Sequence, residues 1–327
     1  MRSLSDLQSI INSELSEESE ILAATNPQNL YIPIKYALDM GGKRLRPVML
    51  LLAHELFSKK LENAIPAAIA IEIFHNFTLL HDDIMDKANM RRNQPSVHQK
   101  FNENTAILSG DVMSFISFQY ILKCKSNLLV DVLQLFSKTA VEVCEGQQFD
   151  MDFEDRIDVK EGEYLRMIQL KTAVLLGCSL KAGALLANIK GLRADELYNF
   201  GVNLGMAFQL QDDLLDTFGD AQTFGKKIGG DIVANKKTFL AIKAMELADK
   251  NQKKELLTWM WQKEFKDKEK IKSVTTIYNA LNIKEITQQK IDSYFDAASD
   301  NIKRLRLSRE QKNQLKSLSK LLLNRNN

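Results

Sequence analysis

An all-α fold is what this chain predicts, and three observations carry the prediction. Apolar residues recur at spacings of three and four almost throughout, without convincing two-residue alternation. Only five prolines and fourteen glycines occur in 327 residues, too few for a turn-rich β architecture. Apolar residues make up 45%, enough for a substantial core, and no linker or low-complexity segment divides them. A single domain over residues 1–327 is therefore expected, with the motif-bearing part within about 41–238 and more peripheral helices over 239–327.

The elements follow in order. Residues 3–24 read as an amphipathic helix that stops near Pro27, and a second helix over about 29–39 ends at Gly41-Gly42. Pro47 suits the start of a helix over 47–57. Further helices are predicted over about 63–87, 102–123, 127–151, 160–187 with a break near Gly177, and 193–217. A Gly-rich loop follows at 219–230, and the helices beyond about 235 are more polar.

Composition excludes several classes. A net charge of +2 gives no support for nucleic-acid binding or a polybasic anchor. Cys124, Cys144 and Cys178 show no C-x-x-C spacing and read as free thiols of a reducing compartment. Asp6, Glu14, Glu17, Glu18 and Glu20 leave no signal-peptide core near the N-terminus. No stretch approaches 18 charge-free apolar residues, so no membrane span is expected and a soluble, cytoplasmic protein is.

Chemistry is concentrated in two D-D-x-x-D clusters, Asp82-Asp83-Ile84-Met85-Asp86 and Asp212-Asp213-Leu214-Leu215-Asp216. On a helix, Asp82 shares a face with Asp86, and Asp212 with Asp216. Stacked carboxylates on a buried face repel and lose hydration, so a hard cation is the natural partner. Magnesium takes one or two carboxylates and completes its shell with water and phosphate oxygens, so two facing clusters could hold one diphosphate through shared metals. Both clusters sit near helix C-termini, where they oppose the helix dipole; that argues for function over stability.

Cations accompany them. Lys43, Arg44 and Arg46 follow a double glycine, and Arg91-Arg92 lies just beyond Asp86. Both segments can supply forked or point-charge donors to phosphate. Lys171-Thr172 interrupts an apolar helix, Gln209 lies three residues before Asp212, and Lys226, Asp231 and Lys236 follow the second cluster. His75 shares the helical face of Asp82 and is a candidate phosphate donor, whereas His54 reads as structural. A zinc site is the rival, but the cysteines are remote and no H-E-x-x-H occurs.

Taken in order, these segments resemble the trans-isoprenyl diphosphate synthases, or polyprenyl synthetase family. The likeness rests on G-G-K-R-L-R-P at 41–47, H-D-D-I-M-D at 81–86, R-R-N-Q-P at 91–95 and E-G-Q at 145–147. It continues with K-T-A at 171–173, F-Q-L-Q-D-D-L-L-D at 208–216 and G-K-K-I-G-G-D-I at 225–232. The resemblance implies an isoprenoid-synthase-type bundle around a central cavity, usually a homodimer, that uses magnesium, three ions with substrate bound. It implies head-to-tail transfer of an allylic diphosphate (dimethylallyl, geranyl or farnesyl) onto isopentenyl diphosphate. By the same resemblance Lys43, Arg46, His75 and Arg92 would hold isopentenyl diphosphate. Arg91, Lys171, Lys226 and Lys236 would hold the allylic diphosphate, with Thr172 and Gln209 beside the reacting carbon. Asp82, Asp86 and Asp212 would be the principal metal ligands, supported by Asp83, Asp213 and Asp216. Asn93 departs from the family's frequent glycine, although Asn tolerates left-handed geometry.

The first cluster lacks the two-residue insertion of many bacterial farnesyl diphosphate synthases. The family often limits product length with an aromatic residue five before the first aspartate. Here that residue is Phe77, about 7.5 Å along the helix from Asp82, with Phe74 about 12 Å away. Thr78 faces nearer the carboxylate stripe than Phe77 does. Phe77 would therefore have to close the tunnel from its side, and the short first cluster favours geranylgeranyl diphosphate as product, with farnesyl diphosphate as the alternative. A class I terpene cyclase is the rival activity, but it needs no second diphosphate site. A non-catalytic partner subunit would be expected to lack a metal aspartate, and none is missing.

Overall fold

The computed structural model describes residues 1–219 and 228–323. Apart from one two-residue hairpin, its regular elements are helices. They are α1 Leu4–Ala23, α2 Gln28–Asp39, α3 Leu45–Glu55, α4 Ile65–Met85, α5 Val97–Lys100, α6 Glu103–Leu122, α7 Leu129–Glu154, α8 Glu161–Ile168, α9 Val174–Leu186 and α10 Leu192–Phe218. After these come α11 Gly230–Val233, α12 Phe239–Leu247, α13 Lys250–Trp261, α14 Asp267–Ala280, α15 Ile283–Arg304 and α16 Arg309–Leu323. The chain divides into two compact units. One comprises Met1–Lys138, Leu176–Tyr198 and Leu307–Gln314, and the other Thr139–Leu175, Asn199–Arg306 and Leu315–Asn327.

In the first unit α1 is fixed by a capping box in which the Ser3 hydroxyl accepts from the Asp6 amide and the Asp6 carboxylate accepts from the Ser3 amide. Helix α4 packs extensively along α6. Helix α4 is buried nearly all round from Ala67 to Phe74, as a core helix must be, and turns polar only in its last turns. Gly183 of α9 lies against α3 so closely that a Cβ there would be 2.1 Å from the Leu50 carbonyl oxygen. The hairpin, β1 Met90–Arg91 and β2 Gln94–Pro95, pairs Met90 with Pro95 and Arg91 with Gln94. Its turn residues Arg92 and Asn93 have φ of +51° and +62°, the two left-handed positions that suit a tight hairpin. Asn93 thus occupies a position that asparagine accepts at small cost.

The second unit corrects two expectations. The predicted helix over 160–187 is interrupted by a π turn at Gln169–Ala173, while Gly177 lies in regular helix. The turn sits between two close approaches: a Cβ on Gly146 of α7 would be 2.2 Å from the Lys171 amide nitrogen, and one on Gly205 of α10 would be 2.6 Å from the Ala173 Cα. The region beyond 239 is not uniformly peripheral either. Phe239, Leu240 and Ala244 of α12 are at most 1% exposed, because this short helix is flanked by α8, α14 and α15. Polarity of the surrounding helices hid a short apolar core element.

Two described helical runs, Glu103–Leu122 and Glu161–Leu186, are long and apolar enough on average to cross a membrane. Neither is charge-free, since they carry Glu103 and Asp111, and Arg166, Lys171 and Lys181. The second is 78% buried within the protein, as a core helix is.

Arg44 is turned into the first unit by a left-handed backbone (φ +49°). There its guanidinium pairs with Glu72 at 2.7 Å and donates to the Leu38 carbonyl at the end of α2, while the Asn76 amide donates to Glu72. Both charged side chains are nearly inaccessible, so neither is compensated by water. Glu72→Ala should therefore lower the unfolding free energy by roughly 3–5 kcal/mol, the cost of stranding a buried charge. Urea denaturation monitored by circular dichroism checks this; a loss within experimental error would show that Arg44 finds another partner.

Candidate active site

In the first unit the site residues come from the start of α3, the end of α4 and the hairpin. Asp82 and Asp86 lie one turn apart at the C-terminal end of α4, whose last turn carries no basic residue. Asp83 points the other way. It is 3% exposed and accepts from Arg91, whose Nε lies 3.0 Å and 3.1 Å from its two oxygens. A second guanidinium nitrogen of Arg91 is 3.6 Å from Asp82. Burial raises the Asp83 carboxyl above the usual range, and Arg91 opposes the shift. Asp83, read from sequence as a supporting metal ligand, serves in this structure as the post that holds Arg91 beside the first cluster.

Arg92 turns toward the double glycine. Its guanidinium donates to the Gly41 carbonyl and lies under Gly42, where a Cβ would come within 2.8 Å of it. With φ of +77° and +133°, the two glycines provide both the turn and the space. Close approach at Gly42 is thus by an arginine. Arg46 donates to His75 Nε2 at 3.1 Å. Arginine cannot accept, so His75 is the acceptor and carries its proton on Nδ1. Burial and Arg46, followed by Arg92, Arg91 and Arg44, hold the His75 imidazole well below its ordinary value. Burial, aided by Arg92, lowers Arg46 to about 10. Lys43 is exposed. His54 is buried with Nε2 2.8 Å from the Lys60 carbonyl, the structural role read from sequence.

Phe74 is fully buried against Phe77 and Phe136, with ring centroids 5.4 Å and 5.2 Å away. Phe77 is half-buried and meets His81 edge-on at 4.9 Å. The Thr78 hydroxyl donates to the His75 carbonyl. Phe74 is therefore a core residue, and Phe77 is the one of the two at the polar end of the row.

In the second unit the site residues come from the end of α7, the π turn, the end of α10 and the segment around α11. Asp212 and Asp216 are partly exposed on the last two turns of α10. Asp216 accepts from the Asp231 amide at 3.0 Å, so it also anchors the first turn of α11. Asp213 is buried. Tyr164 donates its hydroxyl to one carboxylate oxygen, and the Gln209 amide donates to the other at 3.1 Å. Gln209 in turn accepts from the Thr172 hydroxyl at 3.3 Å. Burial pushes the Asp213 carboxyl well above the usual range, with Asp231 and Asp212 adding to the shift and Tyr164 and Gln209 opposing it. As in the first cluster, the second aspartate faces inward and fixes its neighbours. Lys171 reaches Asp150 at 2.7 Å, and Lys236 reaches Glu154 at 3.2 Å and Asp150 at 3.8 Å. Lys226 lies outside the described residues, as does most of the loop expected at 219–230.

Sequence reading missed Glu72, Tyr164 and Asp150. Asp150 and Glu154 are themselves an i, i+4 acidic pair, the same signal that marked the two clusters. Glu72 and Tyr164 left no comparable mark. Among the described residues, no group of three or more His, Cys, Asp or Glu side chains gathers into a metal cage. Each cluster instead offers a carboxylate pair, the donor set suited to magnesium completed by phosphate and water.

The structure thus combines an all-helical fold with a carboxylate pair at the end of α4 and another at the end of α10. The polyprenyl synthetase family profile matches residues 27–278, and the chain belongs to that family; it is a prenyltransferase. It is 43% identical over 229 residues to the geranylgeranyl diphosphate synthase of Methanosarcina mazei, covering 69% of this chain and 71% of that one. It is 38% identical over 261 residues to the geranylfarnesyl diphosphate synthase of Natronomonas pharaonis, covering 74% and 76%. A crystal structure of a geranylgeranyl pyrophosphate synthase superposes with a TM-score of 0.93 at 43% identity, covering all of both chains.

The neutral His75 has a consequence for pH. Its folded value lies below the ordinary 6.5, so between the two the unfolded chain binds more protons and stability falls as pH falls. Urea midpoints should therefore drop between about pH 7.5 and pH 5.5, and drop less in His75→Gln, which keeps an acceptor for Arg46. Equal drops in the two proteins would place the acid sensitivity elsewhere, for example at His54.

Proposed function

We propose that this enzyme condenses isopentenyl diphosphate with an allylic diphosphate to give geranylgeranyl diphosphate, and that both units together form its single catalytic domain. What supports the product most directly is the 43% identity to enzymes of that name, in sequence and in structure. The domain reading is supported by a family match that runs through both units.

Asp82, Asp86 and Asp212 would hold magnesium, three ions in all, with Asp216 in support, and the metal would supply positive charge to the departing diphosphate. Lys43, Arg46, His75 and Arg92 would bind isopentenyl diphosphate. His75 accepts from Arg46, so its part is to orient that guanidinium, leaving Nδ1–H as its own donor. Arg91, Lys171, Lys226 and Lys236 would bind the allylic diphosphate. The allylic C–O bond breaks with its electron pair leaving on the diphosphate. The double bond of isopentenyl diphosphate then attacks the allylic cation and forms the new C–C bond. A proton leaves from the adjacent carbon to the diphosphate, which makes a separate general base unnecessary. Thr172 and Gln209, held in register by Asp213 and Tyr164, present oxygen dipoles that stabilise positive charge without forming a bond to it.

We further read the protein as a homodimer. Leu108, Phe115 and Leu122 stand at seven-residue steps on α6 and are 56%, 71% and 58% exposed, an apolar row of the kind that marks a protein interface. Sedimentation equilibrium checks it, since a mass of 37.2 kDa would identify a monomer.

Asp82→Ala and Asp212→Ala should each abolish turnover while the circular dichroism spectrum is retained, because removing one of two repelling carboxylates does not unfold a helix. Near wild-type activity with magnesium in either variant would sink the metal assignment.

Product length depends on Phe77 in this reading. Its ring stands at the partly exposed end of the aromatic row, whereas Phe74 is core. Phe77→Ala should lengthen the product by at least one five-carbon unit, read by chromatography of dephosphorylated products from labelled isopentenyl diphosphate. An unchanged distribution would remove Phe77 as the floor. The geranylfarnesyl-named relative shows that lengths diverge at comparable identity, so the wild-type product is to be measured with each allylic starter.

A further inference from the structure

Lys270 belongs to none of the motifs and stands on α14, in the first turn after Asp267. It is 1% exposed, a rare state for a lysine. A cation there opposes the dipole of its own helix, and burial lowers its pKa, so the position is unfavourable unless its contacts compensate. Those contacts are specific. Its ammonium lies 2.7 Å from Asn235 Oδ1 and 3.3 Å from the Val233 carbonyl, and 4.2 Å from the centre of the Phe265 ring. Val233 is the last residue of α11, so its carbonyl is one that the helix itself leaves without a partner.

Asn235 has a left-handed backbone (φ +56°), and its amide nitrogen donates to the Met260 carbonyl. Both ends of its side chain are thus engaged. The turn it forms is closed by Asn235 N to the Ile232 carbonyl at 3.2 Å and Lys236 N to the Asp231 carbonyl at 2.9 Å. Lys236 follows directly and extends to Glu154 and Asp150. A cavity bordered by Asp231, Asn235, Lys236 and Lys270 measures about 20 Å³, room for one water and none for a ligand. The cluster is therefore a support and not a second binding site.

We propose that Lys270 is a positioning residue for Lys236: it pins the 233–236 turn through Asn235 and Val233, and so fixes where the Lys236 ammonium is presented. The inference rests on the reading of Lys236 as a contact of the allylic diphosphate. It predicts that a side chain which never meets substrate controls affinity for one of the two substrates only.

The test compares Lys270→Met, which keeps the length and removes the charge, with Asn235→Gly, which keeps the left-handed backbone and removes the amide. Lys236→Ala and the Lys270→Met/Lys236→Ala double variant complete the set. Hydrogen–deuterium exchange of the segment 229–237 is measured alongside steady-state kinetics. Lys270→Met and Asn235→Gly should each speed exchange of the Asn235 and Lys236 amides by about tenfold or more, the scale of losing one charge-assisted hydrogen bond. Exchange in α4 and α6 should stay unchanged. Both variants should raise KM for the allylic diphosphate several-fold while KM for isopentenyl diphosphate stays within twofold, and the double variant should lose no more than Lys236→Ala alone. Unchanged exchange over 229–237, or multiplicative losses in the double variant, would overturn the inference. Should Lys236→Ala leave allylic affinity intact, the substrate role of Lys236 fails, and the exchange data still decide whether Lys270 holds the turn.

Discussion

Repulsion between carboxylates at a helix end is the constraint on which the rest of this site depends. Asp82 with Asp86, and Asp212 with Asp216, each bring two negative charges within one turn near a C-terminus that already carries partial negative charge. Neither helix has a basic residue in its last turn to relieve this. The relief comes from elsewhere in the fold. The hairpin returns Arg91 to Asp83 and Asp82, and α11 returns an amide to Asp216. These partners come from outside the two helices, so each carboxylate pair is held by tertiary contacts.

The second aspartate of each cluster shows how such a site is kept rigid. On a helix it is rotated about 100° from the first, so when one faces the polar side the other faces the protein. Burying it is costly, and each is satisfied by its own partners: Arg91 for Asp83, Tyr164 and Gln209 for Asp213. The result is a chain of fixed orientations. Asp213 holds Gln209, Gln209 holds Thr172, and Thr172 lies in the π turn that also carries Lys171. In each cluster the buried carboxylate thus restrains the donors around it.

How much of this was legible follows from what leaves a periodic or compositional trace. The all-helical class, most helix positions and the two carboxylate pairs are written in spacings of three and four. The hairpin is not, because two-residue strands are too short to alternate; only Asn93 hinted at a turn. The short core helix α12 was masked by polar neighbours, since five buried residues in a nine-residue helix change composition little against the long charged helices that follow. The burial of Arg44, which the sequence offered as a phosphate donor, and of Lys270 was invisible for a stronger reason. Their partners Glu72 and Asn235 lie 28 and 35 residues away in sequence, and a buried charge is recognisable only when its counter-group is known.

The π turn joins the local and tertiary levels of the argument. Inserting one residue into a helical repeat widens the turn and costs local hydrogen-bond geometry, so it persists only where packing enforces it. Here Gly146 and Gly205 let two neighbouring helices come within reach of the backbone of Lys171 and Ala173, a distance any side chain would forbid. The sequence E-G-Q at 145–147 thus does its work through the glycine, by admitting the backbone that presents Lys171 and Thr172. Polar side chains then set the final orientation, Asp150 for the lysine and Gln209 for the threonine. Glycine contacts, bulged backbone and buried carboxylate act on one short segment and fix where its two polar side chains, Lys171 and Thr172, are presented.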